Sequence, residues 1–262
     1  MGNKYKFTVL LSASVPSEKR SERYNEVYTK IKNAQIQIEE AIITLCRNIF
    51  HAGGRIIFGG HPSISPLVAM IASEFADSDN DEMEHLGVEN RNDKKIIIYQ
   101  SRAYEEVIPK ETSILFELGY SEIKWVDAVD NEKCDLNIKN QTQCDKSLLS
   151  MRTKMIHENE IDALVCIGGM DGVEKEFELF REYKPTAKIF ILETTGGASK
   201  ILAKEYSRSE FIKIPDTGYS RQIENKRQET GEEKSKFELV PYSFLTSLIV
   251  KELTGNNGSN LK

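Results

Sequence analysis

The chain has 262 residues, of which 39% are hydrophobic and 29% are charged, so it can form a packed core and global disorder is not expected. Its net charge of −6, from 35 basic and 41 acidic residues, argues against a broadly basic surface for nucleic acid. Its apolar runs are far shorter than the roughly 18 residues of a membrane helix, so we expect neither a membrane nor a nucleic-acid partner.

Apolar runs alternate with helical patterns along the chain. The runs that predict strands are short: Lys6–Leu11, Arg55–Phe58, Lys95–Tyr99, Ile123–Val126, Ala163–Ile167 and Lys188–Leu192. Apolar positions three and four apart predict helices in the segments that remain: Glu26–His51, a helix with Ser65 as N-cap and Pro66 at its first position, Ser147–Asn159, Val173–Tyr183, a helix that starts at Gly196-Gly197, and Tyr242–Leu253. Polar stretches predict loops at 77–93, 127–144 and 207–240.

Strands that alternate with helices predict an α/β, Rossmann-like fold with a mostly parallel sheet and helices on both faces. The runs Ile56–Phe58 and Leu164–Ile167 are apolar at every position, so we predict that they are central strands. No Pro- or Gly-rich linker divides the pattern. We therefore expect one domain over 1–262, with a core at about 6–206 and a polar loop and C-terminal helix over 207–262.

Small residues follow four of the predicted strands. Glycine lets the backbone approach a ligand closely, and N–H groups at a helix start favour phosphate oxygens. Because the carboxyl ends of parallel strands meet at one edge of the sheet, we predict a phosphate- or nucleotide-binding site there. Its candidate residues are Ser12, Ser14, Gly59, Gly60, His61, Ser63, Gly168, Gly169, Met170, Gly172, Thr195, Gly196 and Gly197. The alternative is that these residues only permit tight turns between strands and helices.

The remaining patterns exclude several kinds of site. Neither GxGxxG with its later acidic residue nor GxxxxGK[ST] is present, so we expect no standard dinucleotide fingerprint and no P-loop. The four cysteines form no CxxC pair, and the histidines have no ligand spacing, so we predict no metal site and no cofactor. With no signal-peptide pattern at the N-terminus, this cysteine usage predicts a reducing, cytoplasmic location.

Four segments together resemble the SLOG superfamily, which joins Rossmann-like nucleotide-binding domains to LONELY GUY-type phosphoribohydrolases. They are Phe-Gly-Gly-His-Pro at 58–62, Met-Arg-Thr-Lys-Met at 151–155, Gly-Gly-Met-Asp-Gly-Val-Glu-Lys-Glu at 168–176 and Thr-Thr-Gly-Gly-Ala at 194–198. The resemblance covers about 7–203. The third segment and Leu-Ser-Ala-Ser-Val-Pro at 11–16 look most like a prokaryotic branch that is linked to bacterial conflict systems.

The resemblance also implies two catalytic candidates. The phosphoribohydrolases carry Pro-Gly-Gly-x-Gly-Thr-x-x-Glu, preceded by a helix with an Arg, and Glu176 and Arg152 match those two positions. A carboxylate can stabilise the oxocarbenium character of a breaking N-glycosidic bond, and an arginine can hold a phosphate. Here Ile167 replaces the proline, Val173 replaces the threonine and one extra residue precedes Gly172.

Three functions remain open at this point. The altered motif favours a sensor that binds an ADP-ribose-type or cyclic-nucleotide signal in anti-phage defence. Such a sensor needs an output, which we expect to be an effector protein or a homo-oligomer. The match at Arg152 and Glu176 keeps open an enzyme that cleaves a base–ribose bond. An interaction module with vestigial glycine turns is the third possibility, and the glycine and hydroxyl turns argue against it.

Overall fold

A parallel sheet forms the centre of the computed structural model, which describes residues 5–16, 22–29, 31, 33–75, 94–108, 110–117, 119–135, 143–215, 221–224 and 236–255. Its strands in the order β4-β3-β2-β1-β5-β6-β7 are all parallel. The strands are β1 (Thr8–Ser14), β2 (Arg55–Gly59), β3 (Ile96–Ser101), β4 (Ser121–Val126), β5 (Ala163–Gly168), β6 (Lys188–Leu192) and β7 (Ile212–Lys213). This confirms the predicted α/β, Rossmann-like fold, and both predicted central runs lie in interior strands.

Helices connect these strands and cover the sheet. They are α1 (Glu22–Tyr28), α2 (Ala34–His51), α3 (Ser65–Glu74), α4 (Lys110–Glu117), α5 (Asp145–His157), α6 (Asp171–Tyr183), α7 (Gly197–Tyr206) and α8 (Tyr242–Gly255). Short 3₁₀ helices span Arg102–Val107, Val129–Asn131 and Glu193–Thr195, and an antiparallel pair is formed by β8 (Arg221–Glu224) and β9 (Lys236–Leu239). None of the described helices combines the length and apolar character that a membrane crossing needs.

Alternate side chains of each strand point to opposite faces of the sheet, and each face has its own hydrophobic cluster. Val9 and Leu11 of β1 pack in the cluster that includes α2, α3 and α8. Leu10, between them in sequence, packs in the cluster that includes α5, α6 and α7. The C-terminal helix therefore shares a core with the sheet, through residues such as Leu245 and Ile249.

Several predicted elements differ from those in the structure. The helix predicted over Glu26–His51 is two helices, because Asn33 adopts a left-handed conformation with φ 57° just before Ala34, which asparagine tolerates better than most residues. Ser65 is not the N-cap of α3: it lies inside the helix, and its hydroxyl donates to the carbonyl of His61.

The loop predicted over 207–240 contains β7, β8 and β9, which are too short to give a periodic pattern. Helix α4 was not predicted. The loop predicted over 77–93 lies outside the described residues, as does 136–142 in the loop predicted over 127–144.

The order of the strands places a crevice beside β1. The chain runs outward from β1 through β2 and β3 to β4, then returns to β5 on the other side of β1. The connections that leave β1 and β5 therefore diverge at the carboxyl edge of the sheet. In open α/β sheets, ligands bind at such a switch point.

Peptide groups of the β5 turn hold three strand ends together at this edge. The Gly169 N–H donates to the Ser14 carbonyl at 2.8 Å, and the Gly169 carbonyl accepts from the Ala198 N–H at 2.9 Å. The Gly168 N–H donates to Thr195 Oγ1 at 2.8 Å. Gly197 has φ +57°, and a Cβ placed on it would lie 2.4 Å from the Gly169 carbonyl oxygen.

We expect Gly197→Ala to lower the free energy of unfolding by about 3 kcal/mol or more, because alanine is strained at positive φ and its Cβ overlaps the Gly169 carbonyl. Denaturant unfolding measures this loss. The matched control is Gly255→Ala at the end of α8, where a Cβ meets nothing within 4 Å. Equal stability of the two variants would contradict the close contact between the two glycine turns.

Candidate functional site

A cavity of about 450 Å³ opens at the carboxyl edge of the sheet, beside the switch point. Its walls come from the ends of β1, β2 and β3, from α5 and from the first turn of α6. This volume lies within the range of about 300–1,000 Å³ that small-molecule sites occupy. The predicted residues that line it are Ser14, Gly59, Gly60, His61, Met170, Gly172, Arg152 and Glu176.

Glu176 is fixed through both of its carboxylate oxygens. Its Oε2 accepts a hydrogen bond from the Ser12 hydroxyl at 2.5 Å, and its Oε1 accepts one from Arg152 Nε at 3.3 Å. The side chains of Arg152 and Glu176 are each only 12% exposed, whereas Ser12 is completely buried. Ser12 therefore lies beneath the cavity and orients the carboxylate.

Arg152 depends on a glycine in the neighbouring helix. A Cβ at Gly172 would lie 2.9 Å from Arg152 Nη2, so only a glycine leaves the guanidinium room in this position. Gly172 belongs to the first turn of α6, which also lines the cavity. The N–H groups of a first helical turn lack partners within the helix and favour anions. The side chain of Met170, which directly precedes the helix, does not cap this turn.

Glu174, two residues before Glu176, has a different partner. Its carboxylate accepts hydrogen bonds from the Tyr24 hydroxyl at 2.6 Å and from Arg23 at 2.8 Å, which ties α6 to α1. Burial, with the charge of Glu174, raises the pKa of Tyr24, so its hydroxyl stays protonated and donates. The acidic residues of α6 are therefore not one uniform solvated face.

His61 lines the cavity with its ring oriented by Ser63. The His61 Nδ1 atom accepts from the Ser63 N–H at 3.2 Å and lies 2.9 Å from the Ser63 hydroxyl. A backbone N–H can only donate, so the proton of the neutral ring is on Nε2. The Ser63 hydroxyl also accepts from the Val15 N–H. Ser63 therefore braces the turn and is not part of the cavity wall.

The structure does not place every predicted residue at the cavity. Those outside its lining are Ser12, Ser63, Gly168, Gly169, Thr195, Gly196 and Gly197. The turns of β5 and β6 contact each other, and a Cβ at Gly196 would lie 2.8 Å from the Val27 carbonyl of α1. Ligand binding by these residues stays a prediction, whereas their contacts to one another are a feature of the fold.

Some cavity residues were not predicted from the sequence. They are Pro62, Gln100, Tyr104, Val107, Cys134, Gln143, Leu148, Met151, Asp171 and Val173, together with apolar residues at the ends of β1 and β2. The one usable signal was Gln100, a polar residue near the end of the otherwise apolar strand β3. Of the others, those at 11–16, 58–62, 151–155 and 168–176 lie in segments that carry the family resemblance, and the rest lie in segments that show no motif.

The thiols and the acidic residues give no further site here. All four cysteines are free thiols. Burial raises the pKa of Cys166, and the charge of Glu176 raises it further, so this thiol stays neutral in the core. Burial also raises the pKa of Cys46, to about 12. Within the described part of the chain, no group of three His, Cys, Asp or Glu side chains is arranged to hold a metal ion.

Comparison with known proteins gives a family. A search of curated proteins finds no match. Among solved structures, the X-ray structure of TM1055, a structural-genomics target, matches 79% of this chain and 90% of its own at 14% identity and a TM-score of 0.44. At that score the fold assignment rests on the strand order itself. The family model described as the SLOG cluster3 family matches residues 28–226, so the chain belongs to the SLOG cluster3 family.

Proposed function

We propose that this protein binds a nucleotide-derived small molecule in the cavity, of the ADP-ribose or cyclic-nucleotide type, and acts as a sensor in bacterial anti-phage defence. The observation that carries this proposal is the position of Arg152 beside the first turn of α6 inside the cavity. Two independent sources of positive potential, a guanidinium and a helix N-terminus, are therefore available to one phosphate group. Membership of the SLOG family supports the same ligand class.

The geometry of the Arg152–Glu176 ion pair gives a physical reason why Arg152 can leave Glu176 and bind a phosphate. At 3.3 Å the contact from Arg152 Nε to Glu176 is long for a charged hydrogen bond, which is commonly about 2.7–2.9 Å. A phosphate can offer the guanidinium two oxygens at once, which a single carboxylate oxygen does not. Glu176 keeps its shorter bond from Ser12 when Arg152 turns toward a ligand.

Val173 favours binding without turnover. It stands where the related phosphoribohydrolases carry a threonine, and it is 3% exposed. Its Cγ2 atom would lie 2.2 Å from a Cβ placed on Gly169, so its side chain packs against the β5 turn. An apolar side chain packed in this way supplies no hydroxyl to a ribose. We therefore propose a sensor, as a single domain in the cytoplasm, whose output is an effector protein or a change of homo-oligomeric assembly.

The second candidate is a nucleotide N-glycosidase, and one observation favours it. Glu176 is a carboxylate at the cavity wall that is only 12% exposed and is held by Ser12 at 2.5 Å. A carboxylate fixed before the ligand arrives can stabilise a developing oxocarbenium ion without reorganisation. The two functions use the same residues and differ in whether the base–ribose bond breaks.

Gly172→Ala tests the phosphate end of the proposed site. We expect about tenfold weaker binding of ADP-ribose, cyclic ADP-ribose or AMP in calorimetry, because the new Cβ displaces Arg152 from its position and a charged hydrogen bond is lost. The free energy of unfolding should change by no more than about 1 kcal/mol, since the gain in helix propensity opposes the loss of the Arg152–Glu176 contact. Gly255→Ala is the control for the glycine change itself. Unchanged affinity for every probe that the wild type binds would contradict the site, and no binding by the wild type would contradict the function.

Glu176→Gln separates the sensor from the enzyme. For a sensor, chromatography after hours of incubation should recover the nucleotide or ADP-ribose probe intact, and the variant should change affinity alone. For a glycosidase, the wild type should release free base, and the variant should lose about 100-fold or more of that rate. Glu178→Gln makes the same change at an exposed position of α6 and should behave as the wild type. Release of free base that depends on Glu176 and not on Glu178 would replace the sensor with the enzyme.

A further inference from the structure

Gln100 has a buried amide without a partner in the described part of the protein. The side chain follows the apolar run of β3, is only 9% exposed and lines the cavity. No hydrogen bond joins its amide to any residue that the structure describes. The amide is not fully sealed from solvent. Because Gln100 lines the cavity, the amide is accessible from it.

A second glutamine in the same cavity wall shows the contrast. The Gln143 amide is engaged at both ends, since Oε1 accepts from the Asp135 N–H at 2.8 Å and Nε2 donates to the Asp135 carbonyl at 2.9 Å. It therefore holds its own loop. Buried polar groups in native proteins nearly always have a partner, and an exception requires an explanation. A ligand in the cavity is the explanation that the position of Gln100 favours.

The position of Gln100 places it far from the phosphate end. Along the carboxyl edge, β3 is separated by β2 and β1 from β5 and the first turn of α6 that follows it, which is three strand spacings, or about 14 Å. Arg152 reaches that turn from α5, a helix that packs on β2, β3 and β4. A mononucleotide has a similar extended length, so one ligand can reach both ends.

The cavity that Gln100 lines has aromatic and apolar walls. Tyr104 and Val107 belong to the 3₁₀ helix that directly follows β3, and Leu148 and Met151 of α5 line the same cavity. The Tyr104 hydroxyl donates to the Gln143 carbonyl at 2.6 Å, which fixes that ring. Gly60 leaves room for the amide, since a Cβ there would lie 3.3 Å from Gln100 Oε1.

We propose that Gln100 is a specificity-determining residue that recognises the base of the ligand. A carboxamide presents a donor and an acceptor side by side, and adenine presents the matching pair, its amino group and an adjacent ring nitrogen. The base is of the adenine type and lies at the β3 end, with the phosphate at Arg152. This inference rests on the proposed function, because it needs a nucleotide in the cavity.

The experiment compares AMP, ribose 5-phosphate and purine riboside 5′-monophosphate, which lacks the amino group, by calorimetry on wild type and Gln100→Leu. Wild type should bind AMP more tightly than both other probes. The variant should lose about tenfold in affinity for AMP, should bind ribose 5-phosphate as the wild type does, and should no longer distinguish AMP from purine riboside 5′-monophosphate. Its melting temperature should not fall, because no hydrogen bond within the described protein is lost.

Gln100→Glu provides a second variant of nearly unchanged shape. It replaces the amide donor with a charged acceptor, so the affinity for AMP should fall and the affinity for ribose 5-phosphate should stay unchanged. Equal losses for AMP and ribose 5-phosphate together with a lower melting temperature would show a structural role and overturn the inference. Unchanged AMP affinity in both variants would overturn it as well. If the wild type binds ribose 5-phosphate and AMP equally, only the role of Gln100 fails, whereas binding of no probe at all removes the proposed function with it.

Discussion

The peptide groups of Gly168 and Gly169 hold the carboxyl edge of the sheet together. Through them β5 is hydrogen bonded to the end of β1 at Ser14 and to the turn after β6 at Thr195 and Ala198. These bonds fix the point at which α6 begins. Helix α6 supplies Gly172, Val173 and Glu176 to the cavity wall. A side chain at Gly169 would overlap Val173, so the absence of a side chain is needed for the first turn of α6 to pack on β5.

The fixed start of α6 has a direct consequence for charge. Glu174 and Glu176 are two residues apart, which on a helix separates their directions by about 200°. Glu174 bonds to α1 through Tyr24, and Glu176 faces Ser12 and Arg152. Buried charges need partners because desolvation is costly. The ion pair therefore compensates the charges of both side chains, and its long contact leaves the guanidinium available to a better acceptor.

The cavity has chemically different ends because different strands and helices supply different residue types. The first turn of α6 and the Arg152 guanidinium form one end, whereas the β3 end offers the Gln100 carboxamide, which has no hydrogen-bond partner among the described residues. Between these ends, Gly59 and Gly60 leave space because they have no side chains: a Cβ at Gly59 would lie 3.2 Å from the Met151 methyl group. An elongated ligand with one anionic end and one flat end matches this polarity. The proposed sensor and the alternative enzyme both require such a ligand.

The sequence by itself determined the alternation of strands and helices, because apolar period and glycine turns are local properties. Helices α5, α6 and α8 lie within two residues of their predicted bounds, and the family resemblance placed Arg152 and Glu176 at one site. The sequence did not distinguish the role of Gly172, which gives room to Arg152, from the role of Gly197, which permits a backbone contact. In sequence the two requirements have the same signature, a small residue after a strand.

Only the tertiary structure decided which turns face the cavity and that Gln100 does so. The sheet order, in which β1 has β2 on one side and β5 on the other, arises from pairing of β1 with segments that begin at Arg55 and at Ala163, far away in the chain. Gln100 reaches the cavity because β3 lies beside β2 with Tyr99 opposite Gly59. Such pairing is set by the packing of whole faces against helices, so no window of the sequence around Gln100 contains it.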